Sequence, residues 1–147
     1  MLFLFLRHQG GVRKMKELAQ YFQKDNYAAL TGIELLEFAE GKAKVKLELT
    51  KDHLNSGGSV HGGVLFTLAD FAFAVASNSH GTVAVAINSS ISFFKAVSTG
   101  TLFAEAKEIS FHPKIASYLV EVTNEQHELI ATFQGMVYRK KEKLNLD

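Results

Sequence analysis

The 147-residue sequence contains no cysteine and a single proline, and its 16 Lys and Arg nearly balance 15 Asp and Glu, for a formal net charge of +1. Without cysteine there is no disulfide framework, no thiolate nucleophile and no Cys-ligated zinc or iron–sulfur centre. A near-neutral balance argues against a dedicated nucleic-acid binder, which carries a clustered basic surplus. Long apolar runs are missing too. The opening residues 1–6 are all apolar, but a membrane helix needs roughly 20 such residues. Positive charge follows that run at Arg7 instead of preceding it, and no small-residue cleavage site comes after, so a secretory signal is not read there. These absences suit a cytoplasmic protein with neither nucleic acid nor membrane as a partner. What is present is a core-forming composition, 47% hydrophobic and 21% charged with 12 Phe, enough for one domain and short for two.

Gly10-Gly11 leads into Met15-Lys16-Glu17, which reads as a natural start. Residues 1–14 are therefore expected to be an extension outside the fold, and residues 15–147 a single domain. Removing Arg7, Arg13 and Lys14 with that extension leaves 13 basic against 15 acidic side chains, a net −2. Leu18, Ala19, Tyr21 and Phe22 recur at helical spacing and predict a short amphipathic helix over 16–24. A strand is expected over 33–39, then a turn at Glu40-Gly41. Residues 42–49 alternate polar and apolar without a break, the pattern of a strand with one wet and one buried face. Residues 51–60 are polar and Gly-rich and read as a loop.

From His61 to Ser79 almost no polar stripe remains, so a helix there must be buried on nearly every side. His80-Gly81 ends it, Gly being the usual residue just past a helix terminus. Four strand-like runs follow, at 82–95, 100–111, 115–124 and 128–138, separated by short breaks that impose antiparallel pairing. One antiparallel sheet wrapped around one central helix is the simplest way to bury that helix, an α+β arrangement.

The Gly-rich segment His53-Leu54-Asn55-Ser56-Gly57-Gly58-Ser59-Val60-His61-Gly62-Gly63 runs directly into the buried helix. Glycines at a helix entrance let a ligand approach backbone N–H groups that have no partner within the helix, which makes a candidate oxyanion hole. Asp70 is the only ionisable side chain between His61 and His80. It lies too far inside to cap the helix, and burying a carboxylate is costly unless something offsets it. Either Asp70 fixes packing through a neighbour such as Thr67, or it is a general base or nucleophile whose pKa an apolar wall raises. At 1.5 Å per residue, Gly62 and Asp70 lie about 12 Å apart along one helix, too far to serve one carbonyl. Two antiparallel helices across a two-fold axis would bring Gly62 of one chain near Asp70 of the other.

The run His53-x-Asn55-x-Gly57-x-x-x-His61-Gly62-Gly63, followed by Leu68-Ala69-Asp70 and Ala76-Ser77-Asn78-Ser79, resembles the hotdog-fold acyl-CoA thioesterases, most closely the phenylacetic-acid-pathway (PaaI-like) subgroup. The resemblance implies the hotdog fold, an antiparallel sheet wrapped around a long central helix. It further implies Asp70 as the acid that activates water or attacks the thioester carbonyl, and Gly62 as the backbone N–H that polarises it. By the same likeness Asn55 orients the water or thioester, and His61 supports the loop and carbonyl. Gly63, Thr67 and Phe71 are the expected substrate contacts. The implied substrate is an acyl-CoA, with coenzyme A present only as part of it, no metal or organic cofactor, and a homodimer or homotetramer as the assembly. Two departures from the family pattern are Ala74, where a Ser or Thr is common, and Phe93-Phe94-Lys95-Ala96-Val97, which lacks the common Arg-Pro turn.

Other features read more plainly. His53 and His61 stand eight apart without a third ligand, which does not make a zinc site. His80 reads as a helix-end residue, His112 and His127 as solvated turn residues, and Arg139-Lys140-Lys141-x-Lys143 as a solvated basic tail. Gly57-Gly58-Ser59 lacks the Lys of a nucleotide loop, and Ser56, Ser59 and Ser77 lack a nucleophile elbow. Phe66, Phe71 and Phe73 read as core, with one of them a candidate for an acyl pocket. A hotdog hydratase or dehydratase using His61, and a non-catalytic acyl-CoA-binding module, remain the alternative functions at this point.

Overall fold

The computed structural model of the chain describes residues 9–147, so residues 1–8 of the expected extension lie outside the described residues. Helix α1 (Gln9–Phe22) starts earlier than its periodicity suggested and takes in residues 9–14 as its first turns. Helix α2 (Asn26–Thr31) was not anticipated. Its six residues hide any period, but its punctuation was readable: the Asp25 carboxylate accepts the Ala28 N–H at 3.0 Å, and Gly32 closes the helix at φ +92°. Strands β1 (Glu34–Ala39) and β2 (Lys42–Glu48) form a hairpin, and the alternation of β2 is realised with Ala43, Val45 and Leu47 buried beneath Lys42, Lys44 and Lys46. After the Gly-rich loop come α3 (Gly62–Asn78), β3 (Thr82–Phe93), β4 (Thr101–Phe111), β5 (Ile115–Thr123) and β6 (Leu129–Lys143).

All neighbouring strands pair antiparallel in one six-stranded sheet of order β1-β2-β4-β5-β6-β3. β2 pairs with β4, so α3 and β3 are inserted between them in sequence; α3 crosses the concave face and delivers β3 to the far edge. This is the α+β, helix-in-sheet arrangement expected. The helix approaches the sheet closely because the strand residues beneath it are small: Ala104, Ala106, Ala116 and Ala131 are all essentially inaccessible. Phe73 projects furthest into the sheet, edge-on to Tyr118 at 5.6 Å and tilted on Phe133 at 5.5 Å. A Cβ on Gly135 would lie 2.6 Å from the Phe73 ring, so glycine is the residue that lets that ring seat. No helix of the described residues is long and apolar enough to cross a membrane.

The basic tail is a correction to the sequence reading. Residues 139–143 belong to β6, the Leu144 N–H is bonded to the Gly81 carbonyl at 2.9 Å, and Arg139 is 6% exposed. Arg139 donates to the Ser77 carbonyl at 3.1 Å, to Glu108 at 3.1 Å and to the Tyr118 hydroxyl at 2.7 Å, and its guanidinium stacks on Phe111. Tyr118 in turn donates to Glu108 at 2.5 Å, and His80 Nε2 lies 3.1 Å from the same carboxylate oxygen. His80 therefore does more than end a helix. Burial pushes the Tyr118 hydroxyl above its ordinary pKa, with the Glu108 hydrogen bond adding to the effect. The cluster ties the C-terminal end of α3 to three strands. Truncating one partner strands a charge in the interior, so Arg139→Ala should lower unfolding free energy by about 3–5 kcal/mol, read from urea melts.

Candidate active site

The Gly-rich loop is built by its own side chains. Asn55 Oδ1 accepts the N–H groups of Gly57 at 2.9 Å and Ser59 at 3.2 Å, an Asx turn, and Nδ2 reaches Ser59 Oγ at 3.4 Å. His53 Nδ1 accepts the Thr50 N–H at 2.9 Å, so Nε2 carries the proton it gives to the Thr31 carbonyl at 2.7 Å; both ring nitrogens of His53 are spent within the chain. The His61 N–H is held by the His53 carbonyl at 2.8 Å, which fixes the entrance to α3.

At that entrance His61 is the N-cap, its Nδ1 accepting the Gly63 N–H at 2.8 Å. Two consequences follow. The Gly63 N–H is occupied, whereas among the described residues none accepts the Gly62 N–H. His61 Nε2 is left as an N–H donor, because Nδ1 is the acceptor. The N–H of the first helical residue is reinforced by the helix dipole and suits a developing negative charge. Phe93 lies over Gly62, where a Cβ would come within 3.2 Å of its ring, so glycine also keeps this spot open.

Beyond the first turn, α3 is buried except at Phe66, Thr67, Asp70, Ala74 and Asn78; from Thr67 onward these are spaced three or four apart as one stripe along the helix, with Phe66 beside it. Of the three phenylalanines read as core, Phe71 and Phe73 are buried and Phe66 stands 37% exposed. Thr67 spends its hydroxyl proton on the Gly63 carbonyl at 2.7 Å and is not bonded to Asp70. Asp70 is half-buried, and its carboxyl is held above the ordinary aspartate range, chiefly by loss of solvent and secondarily by the Asp25 carboxylate. Asp25 was not singled out in the sequence; its cap position before α2 was the available signal. The structure thus gathers Asn55, His61, Gly62 and Gly63 at the helix entrance, and sets Asp70 eight residues along the same unbroken helix.

Residues 57–131 match the model of the thioesterase superfamily. The chain belongs to that superfamily. Acyl-coenzyme A thioesterase PaaI of Escherichia coli is 38% identical over 119 residues, 80% of this chain and 85% of that protein. The solved structure of the same protein, from the phenylacetic acid degradation operon, superposes with a TM-score of 0.85 at 33% identity, covering 90% of this chain and 96% of its own. A protein of Archaeoglobus fulgidus, provisionally named an esterase, is 48% identical over 82% of this chain and 79% of its own. A Streptococcus mutans protein solved with acetyl CoA bound matches at 26% identity and a TM-score of 0.73, over 76% of this chain and 91% of its own. The enzyme is a PaaI-like hotdog thioesterase, a thioester hydrolase.

The Asp25–Asp70 pair yields a pH prediction. Asn caps a helix as well as Asp, so Asp25→Asn keeps α2 and removes only the charge. With that repulsion gone the Asp70 pKa falls, and the Asp70 carboxyl titration followed by NMR should move to lower pH; an unmoved titration would sink the coupling. The sign for stability is the reverse of the usual Asp case. A folded-state pKa above the unfolded value means that the ionised carboxylate destabilises at neutral pH. Asp70→Asn should therefore melt higher than wild type at pH 7, the difference vanishing below the ordinary aspartate range.

Proposed function

We propose that the enzyme hydrolyses acyl-CoA thioesters, of aryl or phenylacetyl type, to the carboxylic acid and free coenzyme A, at sites shared between two copies of the chain. One observation carries this reading. A single buried helix opens with the unpaired Gly62 N–H and presents the half-buried, pKa-raised Asp70 two turns later. The naming of the Escherichia coli relative as an acyl-CoA thioesterase and the acetyl CoA held by the Streptococcus mutans protein support coenzyme A as the leaving group.

In this mechanism the thioester oxygen accepts from the Gly62 N–H, with His61 Nε2–H as a second donor. Asp70 of a second copy faces the carbonyl carbon. Water attacks that carbon and gives its proton to Asp70, the oxyanion forms on the donors, the C–S bond breaks, and the departing thiolate takes the proton. The alternative course has the Asp70 carboxylate attack first, forming an anhydride that water then opens. Asn55 orients the water or thioester from the loop, and Gly63, Thr67 and Phe71 contact the substrate. No metal or organic cofactor enters any step, and the cysteine-free composition suits a cytoplasmic enzyme.

Two features support the dimer. The helix spacing of about 12 Å prevents Gly62 and Asp70 of one chain from meeting at one carbonyl. Strand β3 is a 12-residue sheet edge paired on one side only, with Val85, Ile87 and Phe93 exposed. A long apolar edge invites pairing with a second copy. A dimer of dimers would cover Ile115, Met136 and Tyr138, which stand exposed on the outer sheet face.

Asp70→Asn should lower kcat for release of free thiol from acyl-CoA by about a hundredfold or more with the assembly intact. Asn55→Ala should lose less, because its side chain chiefly serves the loop. Full activity in the Asp70 variant would falsify the assignment. Hydrolysis in ¹⁸O-water under single turnover tests the anhydride course: label in the Asp70 carboxyl group requires an anhydride opened by water at the Asp70 carbonyl, whereas direct attack puts the label in the released acid alone.

A further inference from the structure

We propose that His53 is a positioning residue for the hydrolysis: its ring ties the Gly-rich loop to the end of α2 and so sets the Gly62 N–H where the reaction needs it. The proposal rests on the reading of that N–H as the oxyanion donor. His53 itself touches neither the substrate nor the reacting atoms.

Little else holds the first arm of the loop. Of residues 50–61 only Val60 is buried, and residues 55–58 are fully on the surface. Within the segment the hydrogen bonds are local. The Thr50 hydroxyl accepts the Asp52 N–H at 3.3 Å, the Asn55 N–H reaches the Ser59 carbonyl at 2.7 Å, and Leu54 bridges Val60. Bonds of that kind close a loop without fixing where it lies. The second arm and the tip are anchored elsewhere, the Val60 N–H donating to the Val97 carbonyl at 2.7 Å and the Ser98 hydroxyl to the Gly58 carbonyl at 2.7 Å. Among the described residues, the first arm, 50–55, has one hydrogen bond that leaves the loop. It runs from His53 Nε2–H to the Thr31 carbonyl at 2.7 Å.

A restraint at His53 acts close to the donor. The His53 carbonyl takes the His61 N–H at 2.8 Å, and His61 caps the helix whose first residue is Gly62. On the other side, Thr31 is the last residue of α2, and a carbonyl there has no N–H of its own helix left to accept. The opposite end of α2 is capped by Asp25, the carboxylate that raises Asp70. Six residues make α2 about 9 Å long. One short helix thus has the acid near its start and, through His53, the donor entrance fastened to its end.

The two ring nitrogens do different work, so their roles can be separated. Nδ1 serves the local turn by accepting the Thr50 N–H at 2.9 Å, and Nε2 makes the tie to α2. An Asn side chain puts its amide near the Nδ1 position and stops short of Thr31. A Gln side chain carries an N–H to the Nε2 position and gives up the Thr50 bond. Misplacing a reacting group by about 1 Å costs up to a hundredfold in rate, and a loss of placement alone falls on kcat.

The test measures kcat and KM for thiol release from the best of phenylacetyl-, acetyl- and decanoyl-CoA, together with the ¹H–¹⁵N signals of the Gly62 and Gly63 amides. His53→Asn should lower kcat about tenfold or more, with KM within about threefold of wild type and the Gly62 signal moved. His53→Gln should bring kcat back to within about threefold of wild type. Ser98→Ala, which frees only the tip of the loop, should leave kcat unchanged. A role in stability alone would lower the urea midpoint of His53→Asn and spare its kcat, and that result overturns the proposal. An equal loss in both His53 variants, a loss confined to KM, or an equal loss in Ser98→Ala overturns it too; in each of these cases the thioesterase reading stands. His53→Leu, which makes neither bond, replaces His53→Asn if that variant does not fold, and the same loss is expected of it. If wild type hydrolyses none of the three thioesters, the thioesterase reading falls and the amide signals decide the tie. Gly62 moved in His53→Asn and unmoved in His53→Gln upholds it; any other pattern overturns it.

Discussion

The structure depends on the burial of α3 against the concave face of the sheet. Leu68, Ala69, Ala72, Val75 and Ala76 are sealed from solvent, and the facing strands offer alanines where a larger residue would hold the helix away. Burial on almost every side leaves one narrow stripe along the helix, and all that α3 can present to a ligand must lie on it. Asp70 and Ala74 are there, and the entrance with its free N–H stands at one end. The opposite end is clamped by Arg139, Glu108 and Tyr118, with Arg139 holding the Ser77 carbonyl. A helix fixed at its exit and capped by His61 at its entrance has little freedom to shift, so the distance from Gly62 to Asp70 is constant. Catalysis at a carbonyl requires placement of that kind.

Asp70 carries the thermodynamic cost of this arrangement. Loss of solvent raises its pKa, and a second carboxylate, Asp25, raises it further. Neither effect stabilises the fold at neutral pH. A carboxylate kept only for packing would gain from a donor, yet Thr67, the nearest hydroxyl on the stripe, gives its proton to the Gly63 carbonyl. Among the described residues none gives the Asp70 carboxylate a hydrogen bond or an ion pair, which fits the proposed role in chemistry better than one in packing.

Much of this was legible in the sequence because the signals were periodic or exclusive. The alternation of residues 42–49, the unbroken apolar helix with one acid, and the glycines before it each depend on local pattern, and each is realised. Helix α2 escaped because six residues span less than two turns and carry no usable period; only its caps announced it. The Arg139 cluster escaped for a different reason. Charges at the end of a chain were read as solvated, although the two-residue period places Arg139 in line with Phe133 and Val137, and Glu108 in line with Ala104 and Ala106, facing inward. Following the strand period through the charges would have paired them. Asp25 was beyond reach altogether, since its effect on Asp70 comes from proximity between elements some forty-five residues apart.

Under the proposed mechanism, the same geometry makes one copy of the domain insufficient for the reaction. On one straight helix the entrance donor and the acid sit about 12 Å apart, and no side-chain rotation closes that distance. Bending α3 would break its packing against all six strands. Moving the acid nearer to Gly62 would place it over the loop, where His61 and Asn55 already hold the backbone, and away from Phe71 and Ala74. The proposed solution is a second helix lying antiparallel, which would duplicate both groups and bring each donor to the other chain's acid. The edge of β3 would offer the surface for such pairing, and Phe93 of that strand lies over Gly62. On that proposal, assembly and active site follow from one constraint: the fixed rise of the helix that the sheet was built to bury.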